Sequence, residues 1–169
     1  MYSLNVPLPG DVTALATSLA RDLPGARART RGEHTLVAKR LGTGDRGEFQ
    51  RRAARVRDAL ARTPAFEARI SGVDYFETAA DGASPVVYLA VECPPLRRLH
   101  DRLCDTVDPV AGMEGEDYVP HVTVARGGRL DAAERLTARD IDPVTWTVTE
   151  VQFWDADRSL AAGTVSLPA

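Results

Sequence analysis

Runs of alternating and of 3.6-period apolar positions divide the chain into a regular series of short elements. Residues 2–6 (Tyr-Ser-Leu-Asn-Val) read as a strand closed by Pro7 and Pro9. Asp11 reads as an N-cap, and Val12, Leu15 and Leu19 recur at i, i+3 and i+7, which predicts a helix to about Asp22, stopped by Pro24-Gly25. A basic turn carrying Arg27, Arg29 and Arg31 leads into 34–41 (His-Thr-Leu-Val-Ala-Lys-Arg-Leu), a predicted strand. After a glycine-rich turn over 42–47, Phe49, Ala53, Val56 and Leu60 mark a second helix whose opposite side carries Arg51, Arg52, Arg55 and Arg62. Strand-like sequence follows at 66–76, and Asp81-Gly82 with Pro85 marks a connection.

The second half repeats this order. Residues 86–92 read as a strand, Pro94-Pro95 opens a helix carrying Leu96, Leu99, Leu103 and Val107, and a loop spans 112–117. Residues 118–126 read as the next strand, Gly127-Gly128 breaks it, Asp131 caps a short helix, and 144–154 is a long strand segment. Each half is therefore β-α-β-α-β, with pseudo-repeat lobes at about 1–83 and 84–169 inside a single α+β domain. In 66–76 the apolar phase runs Phe66, Ala68, Ile70 and then slips to Val73 and Tyr75. In 144–154 it runs Val144, Trp146, Val148 and slips to Val151 and Phe153, so a shift of 78 superposes all five positions and the slip. A strand that keeps both parts of such a pattern inward must bend or bulge.

Composition narrows the class without changing this frame. The 169 residues are 44% hydrophobic and 27% charged, an ordinary globular balance that excludes wholesale disorder. A net charge of −3 excludes a protein that coats polyanions by bulk charge, so nucleic-acid contact needs a local basic patch. No apolar run approaches membrane-spanning length, and the N-terminus has no basic region followed by an apolar one. Cys93 and Cys104 are too few for a disulfide framework and fit reduced thiols in a cytoplasmic protein.

Three histidines are present: His34, His100 and His121. Setting 34–39 against 121–126, a shift of 87, places His-Thr-Leu-Val-Ala-Lys on His-Val-Thr-Val-Ala-Arg, so each half contributes one histidine to an equivalent strand. Residues two apart on a strand share a face roughly 6.6 Å apart. The His121 imidazole and the Thr123 hydroxyl can thus reach one phosphate, one moving a proton and the other donating to a non-bridging oxygen. Two such strands about a pseudo-twofold set two imidazoles across a cleft, the arrangement that in-line phosphodiester cleavage uses. His100 sits beside the apolar row of its helix and reads as structural. With Cys104 it makes only two ligands, short of a closed metal site.

The segments 118–126 (Tyr-Val-Pro-His-Val-Thr-Val-Ala-Arg) and 34–42 (His-Thr-Leu-Val-Ala-Lys-Arg-Leu-Gly) resemble the histidine strands of the 2H phosphoesterase superfamily, in its 2′-5′ RNA ligase-like (RNA 2′,3′-cyclic phosphodiesterase) branch. Element order extends the resemblance over nearly the whole chain. It implies a bilobal α+β fold of two antiparallel sheets flanking a central cleft, with no metal and no cofactor. It also implies hydrolysis of 2′,3′-cyclic phosphate ends of RNA or nucleotides to 2′-phosphates. His34 and His121 are then the catalytic pair, and Thr123, Thr35, Arg126 and Lys39 are the candidates for substrate binding. The first motif departs from the family pattern, which has threonine two places after histidine: here that place is Leu36, and Thr35 comes one place early. Pairing His34 with His121 turns position 36 to the cleft. An alignment anchored on Leu41-Gly42 instead puts Thr35 in the histidine position. Arg126 and Lys39 lie at odd offsets from their histidines and reach substrate only where the strand twists or ends. The expected partner of a monomer is an RNA end or a cyclic nucleotide. The rival reading is a non-catalytic module of the same fold that binds nucleotides or RNA ends.

Overall fold

The computed structural model describes residues 1–30 and 32–169; Arg31, counted above with the basic turn, lies outside the described residues. The predicted alternation becomes strands β1 (Tyr2–Val6), β2 (Ala26–Ala28), β3 (Leu36–Gly42), β4 (Phe66–Phe76), β5 (Val86–Glu92), β6 (His121–Gly127), β7 (Val144–Val148), β8 (Glu150–Asp155) and β9 (Leu160–Ser166). The helices are α1 (Gly10–Ala20), α2 (Arg46–Leu60), α3 (Pro94–Cys104) and α4 (Leu130–Thr137), with a 3₁₀ turn at Gly115–Asp117. β2 and β9 lie outside the elements read from the sequence. Asp11 and Asp131 sit in the first turns of α1 and α4 and do not cap them, while Asp45 and Glu48 form a capping box at α2.

The described residues form one antiparallel sheet of nine strands, ordered β7-β4-β5-β6-β3-β1-β8-β9 with β2 on β6. The class is α+β, as the alternation implied, but the expected two sheets are one. They are joined at a seam where β3 meets β6 through a single residue pair, Leu36 opposite Val122. The halves on either side of that seam do not follow the halves of the chain. β2 and β4, from the first half of the chain, pair with β6 and β5, and β8, from the second, pairs with β1 and carries β9. Each half of the sheet is thus completed by strands from the other half of the chain.

The slip seen in the sequence is real in both copies. β4 shifts register between Ile70 and Gly72, leaving Ser71 unpaired. Seventy-eight residues on, β7 ends at Val148 and β8 begins at Glu150, with Thr149 between them. One core face of the sheet carries Leu36, Ala38, Val122 and Val124, all buried, against Val12, Ala16 and Leu19 of α1, Val56 and Leu60 of α2, and Leu96, Leu99 and Leu103 of α3. The other face at the seam is left to form a cleft.

Candidate functional site

At the seam, β3 and β6 obey one rule that fixes which side chains enter the cleft. Across an antiparallel pair related by a twofold, the residues that face each other on the axis are equivalents. Leu36 and Val122 are that pair, a shift of 86. The bulges agree. β1 skips Ala38 as it runs along β3, and β5 skips Val124 as it runs along β6, again 86 residues apart. Burial agrees too: 35–40 and 121–126 both run half-buried, buried, half-buried, buried, buried, half-buried.

Under this register the equivalents are Thr35 with His121, Val37 with Thr123, and Arg40 with Arg126. All six line one cleft of about 270 Å³. The extra residue at each bulge returns the arginine to the face its odd offset denied it. The unbulged alternation read from the sequence therefore holds from 121 to 123 but not to 126.

His34 is placed otherwise. It precedes β3 on the face of Leu36, is 9% exposed, and does not line the cleft. Neither ring nitrogen has a partner among the described residues, and burial, then the nearby Arg29 charge, hold the imidazole below its ordinary pKa. The expected pair of imidazoles across the cleft is therefore one imidazole, His121, and one hydroxyl, Thr35. Lys39 is also not in the cleft: as the inward residue after the bulge it is fully buried, with Nζ 2.5 Å from Glu114 Oε2 and 3.2 Å from the Asp108 carbonyl. Leu36 is 0% exposed, so position 36 does not face the cleft either. Leu36→Thr is expected to cost about 2–4 kcal/mol, by removing buried methyl groups and burying a hydroxyl in their place. Thr35→Val is expected to leave stability within about 0.5 kcal/mol. Urea midpoints of the two variants check this, and equal midpoints would reverse the assignment of faces.

His121 is held as a neutral imidazole of one tautomer. Its Nδ1 lies 2.7 Å from the Val119 carbonyl oxygen, which can only accept, so Nδ1 carries the proton and Nε2 keeps a lone pair. Burial lowers its pKa; the Val119 bond opposes this, and the Arg40 and Arg126 charges add to it. The ring is braced edge-on by Phe76, with centroids 5.3 Å apart, and at a 58° tilt by Tyr88 at 5.2 Å. Burial pushes the Tyr88 phenol up to about 12, so it stays protonated.

Three guanidinium groups share this cleft: Arg29, Arg40 and Arg126. Arg29 is brought in by its backbone N–H donating to the Val124 carbonyl at 2.9 Å. Arg126 donates from Nη1 to the Asp81 carbonyl at 2.6 Å, while its buried Nε has no partner among the described residues. Burial, then the Arg29 charge, lower the Arg126 pKa, with the Asp81 charge opposing them. Arg40 and Phe76 were not singled out in the sequence; matching Arg40 to Arg126 through the shift of 86 would have found the first.

Behind the cleft, a polar cluster fixes the loop that forms its wall. The Glu114 carboxylate accepts from Lys39, from the Arg40 N–H at 2.6 Å and from the Val110 N–H at 2.9 Å. Burial pushes its pKa up, but these donors together hold it below the ordinary value. His100 donates from Nδ1 to the Ala38 carbonyl at 2.8 Å and accepts at Nε2 from the Gly115 N–H at 2.9 Å. It also stacks on Tyr118 with centroids 3.7 Å apart. This is the structural role read from its helix position. Among the described residues, no three His, Cys, Asp or Glu side chains gather as a metal site. No helix is long and apolar enough to cross a membrane.

Comparison with known proteins identifies the family and the fold. The model of the 2′-5′ RNA ligase superfamily matches residues 38–160. No curated protein matches the chain. Among solved structures, TT0787 of Thermus thermophilus is 20% identical, covers 98% of this chain and 97% of its own, and superposes with a TM-score of 0.71. LigT of E. coli complexed with NADP+ is 17% identical over 99% of this chain and 97% of its own, with a TM-score of 0.72. The same protein complexed with 3′-AMP gives 18% identity, 99% and 98% coverage, and a TM-score of 0.67.

Proposed function

The chain belongs to the 2′-5′ RNA ligase superfamily, and from that membership we propose that its cleft takes the phosphate end of an RNA or nucleotide and hydrolyses a 2′,3′-cyclic phosphate there to a 2′-phosphate. One observation carries the reading: a neutral His121 with a free Nε2 lone pair shares a small cleft with Thr123 and three arginines. The binding of 3′-AMP and NADP+ by E. coli LigT supports a nucleotide-sized ligand.

In the proposed step, a water oxygen attacks phosphorus, its proton passes to His121 Nε2, and the bond from phosphorus to O3′ breaks. The arginines and Thr123 hold the non-bridging oxygens as negative charge gathers on them. A hydroxyl such as that of Thr35 can donate a hydrogen bond to the leaving oxygen, but it cannot exchange a proton at neutral pH as an imidazole does. The leaving oxygen therefore takes its proton from solvent, and catalysis is one-sided.

This mechanism predicts the pH profile. With a single histidine acting as base, kcat/KM should rise through a limb below pH 6.5 and then stay flat to about pH 9, unchanged by chelator. A bell-shaped profile whose alkaline limb disappears in His34→Asn would restore His34 as a second titrating catalyst. The second reading, a binding module without turnover, is favoured by Thr35 standing where the twofold would put a second imidazole. A 2′,3′-cyclic dinucleotide incubated with chelator separates the two: release of a 2′-phosphate supports the enzyme, and saturable binding without product supports the module.

A further inference from the structure

A second groove lies on the far side of Arg40. It occupies about 280 Å³ and is lined by Arg40, Arg52, Arg55, Thr106, Asp108 and Val110 among others. Arg40 also lines the cleft, so the two depressions are one side chain apart. We propose that this groove and the arginine face of α2 hold the ribose-phosphate backbone leading to the terminal nucleotide, so that the preferred ligand is an oligoribonucleotide and not a mononucleotide. The proposal rests on the cleft being the site of the terminal phosphate.

Charge argues for the occupant. α2 carries five arginines against Glu48 and Asp58, in a chain whose net charge is −3. Glu48 is occupied in the capping box with Asp45, at 3.1 Å and 2.8 Å. Arg52 is pinned by the carbonyls of Leu41 and Thr43, at 2.8 Å and 2.6 Å, and Arg57 lies 4.8 Å from the centre of the Phe153 ring. Arg51 and Arg55 are exposed and make no ion pair within 4.0 Å or side-chain hydrogen bond among the described residues, though the Arg51 charge acts on Asp45. Arg55 in the groove and Arg51 beside it, the latter also facing the Asp45 carboxylate, are joined to the cleft by Arg40 and match a row of phosphates. Helix amphipathicity alone asks for solvated residues on this face and does not ask for one sign of charge.

The experiment compares a 2′,3′-cyclic mononucleotide with a tetraribonucleotide bearing the same end. Binding is measured by calorimetry at several salt concentrations for the wild type and for the double variant Arg51→Gln/Arg55→Gln, since glutamine keeps helix propensity. The wild type is expected to bind the tetranucleotide at least about tenfold more tightly than the mononucleotide. The double variant should lose most of that gain, its log–log salt slope falling by about 1.4, or about 0.7 per phosphate contact. Mononucleotide binding should not change. Equal wild-type affinity for both ligands, or a variant that keeps the salt slope, would overturn the groove while leaving the cleft reading intact. A variant that loses both ligands would mean the arginines act at the cleft and not at a separate subsite. A wild type that binds neither ligand defeats the cleft reading itself, and the groove with it.

Discussion

Replacing His121 with alanine is expected to lower turnover of a 2′,3′-cyclic phosphate by about 10²–10⁴, the usual contribution of one positioned acid or base. The fold should survive, because the ring's one strong bond goes to the Val119 carbonyl two residues before it and its other contacts include the Phe76 and Tyr88 rings. Affinity for the product should fall far less than turnover, since the arginines remain to hold the phosphate. His34→Asn, at a position outside the cleft, should by contrast change turnover little. Steady-state kinetics on both variants, with circular dichroism as the check on folding, decide the matter. A folded His121→Ala protein that keeps its rate would remove the imidazole from the mechanism.

Lys39→Met should be the most destabilising single change at a polar position. It strips the buried Glu114 carboxylate of its nearest cation and leaves only the Arg40 guanidinium, 4.0 Å away; breaking a buried pair from one side costs about 3–5 kcal/mol. Out of a total stability of order 5–15 kcal/mol, that is a shift plain in any urea titration. The double variant Lys39→Met/Glu114→Gln should recover much of the loss by removing the stranded charge. The pH dependence carries a sign. In the wild type, Glu114 has a folded pKa below its ordinary 4.5, so its stabilisation is present above that value and is lost as pH falls through the folded value. In Lys39→Met the carboxyl keeps its burial but loses its strongest charged donor, so its pKa moves upward and acid relieves it. The gap between the two proteins should therefore narrow as pH falls, and a constant gap would show that the lysine stem, not its charge, is what matters.

Much of the fold was legible because local periodicity carries it. The matched slips at Ser71 and Thr149 could be read from five apolar positions each, and both proved to be breaks in strand pairing. The register of the first histidine strand was not legible. Aligning His34 with His121 matched four residue types, while the seam pairs Leu36 with Val122 and asks for a shift of 86. Which side of a strand faces a cleft is decided by the strand across from it, and that partner is more than eighty residues away. The bulge at Val124 hid Arg126 for the same reason: a two-residue alternation continued through it from His121 turns Arg126 the wrong way. The lone lysine was read as a ligand for phosphate because nothing in 34–42 announces Glu114 as its partner.

The crossing of β4 and β8 between the halves has a consequence for how the chain comes off the ribosome. β1 and β3 form early, but the edge of β1 that β8 will cover stays open until residues 150–155 have emerged. For most of synthesis the nascent chain therefore presents an unpaired strand edge beside apolar side chains such as Leu4 and Val6, a template for pairing with a neighbour on the same polysome. Closing that edge pairs residues about 150 positions apart, so the entropy of a very long loop is spent before the contact gives anything back. Emergence of β8, not completion of the first half of the chain, is then the event that commits the protein to its native sheet.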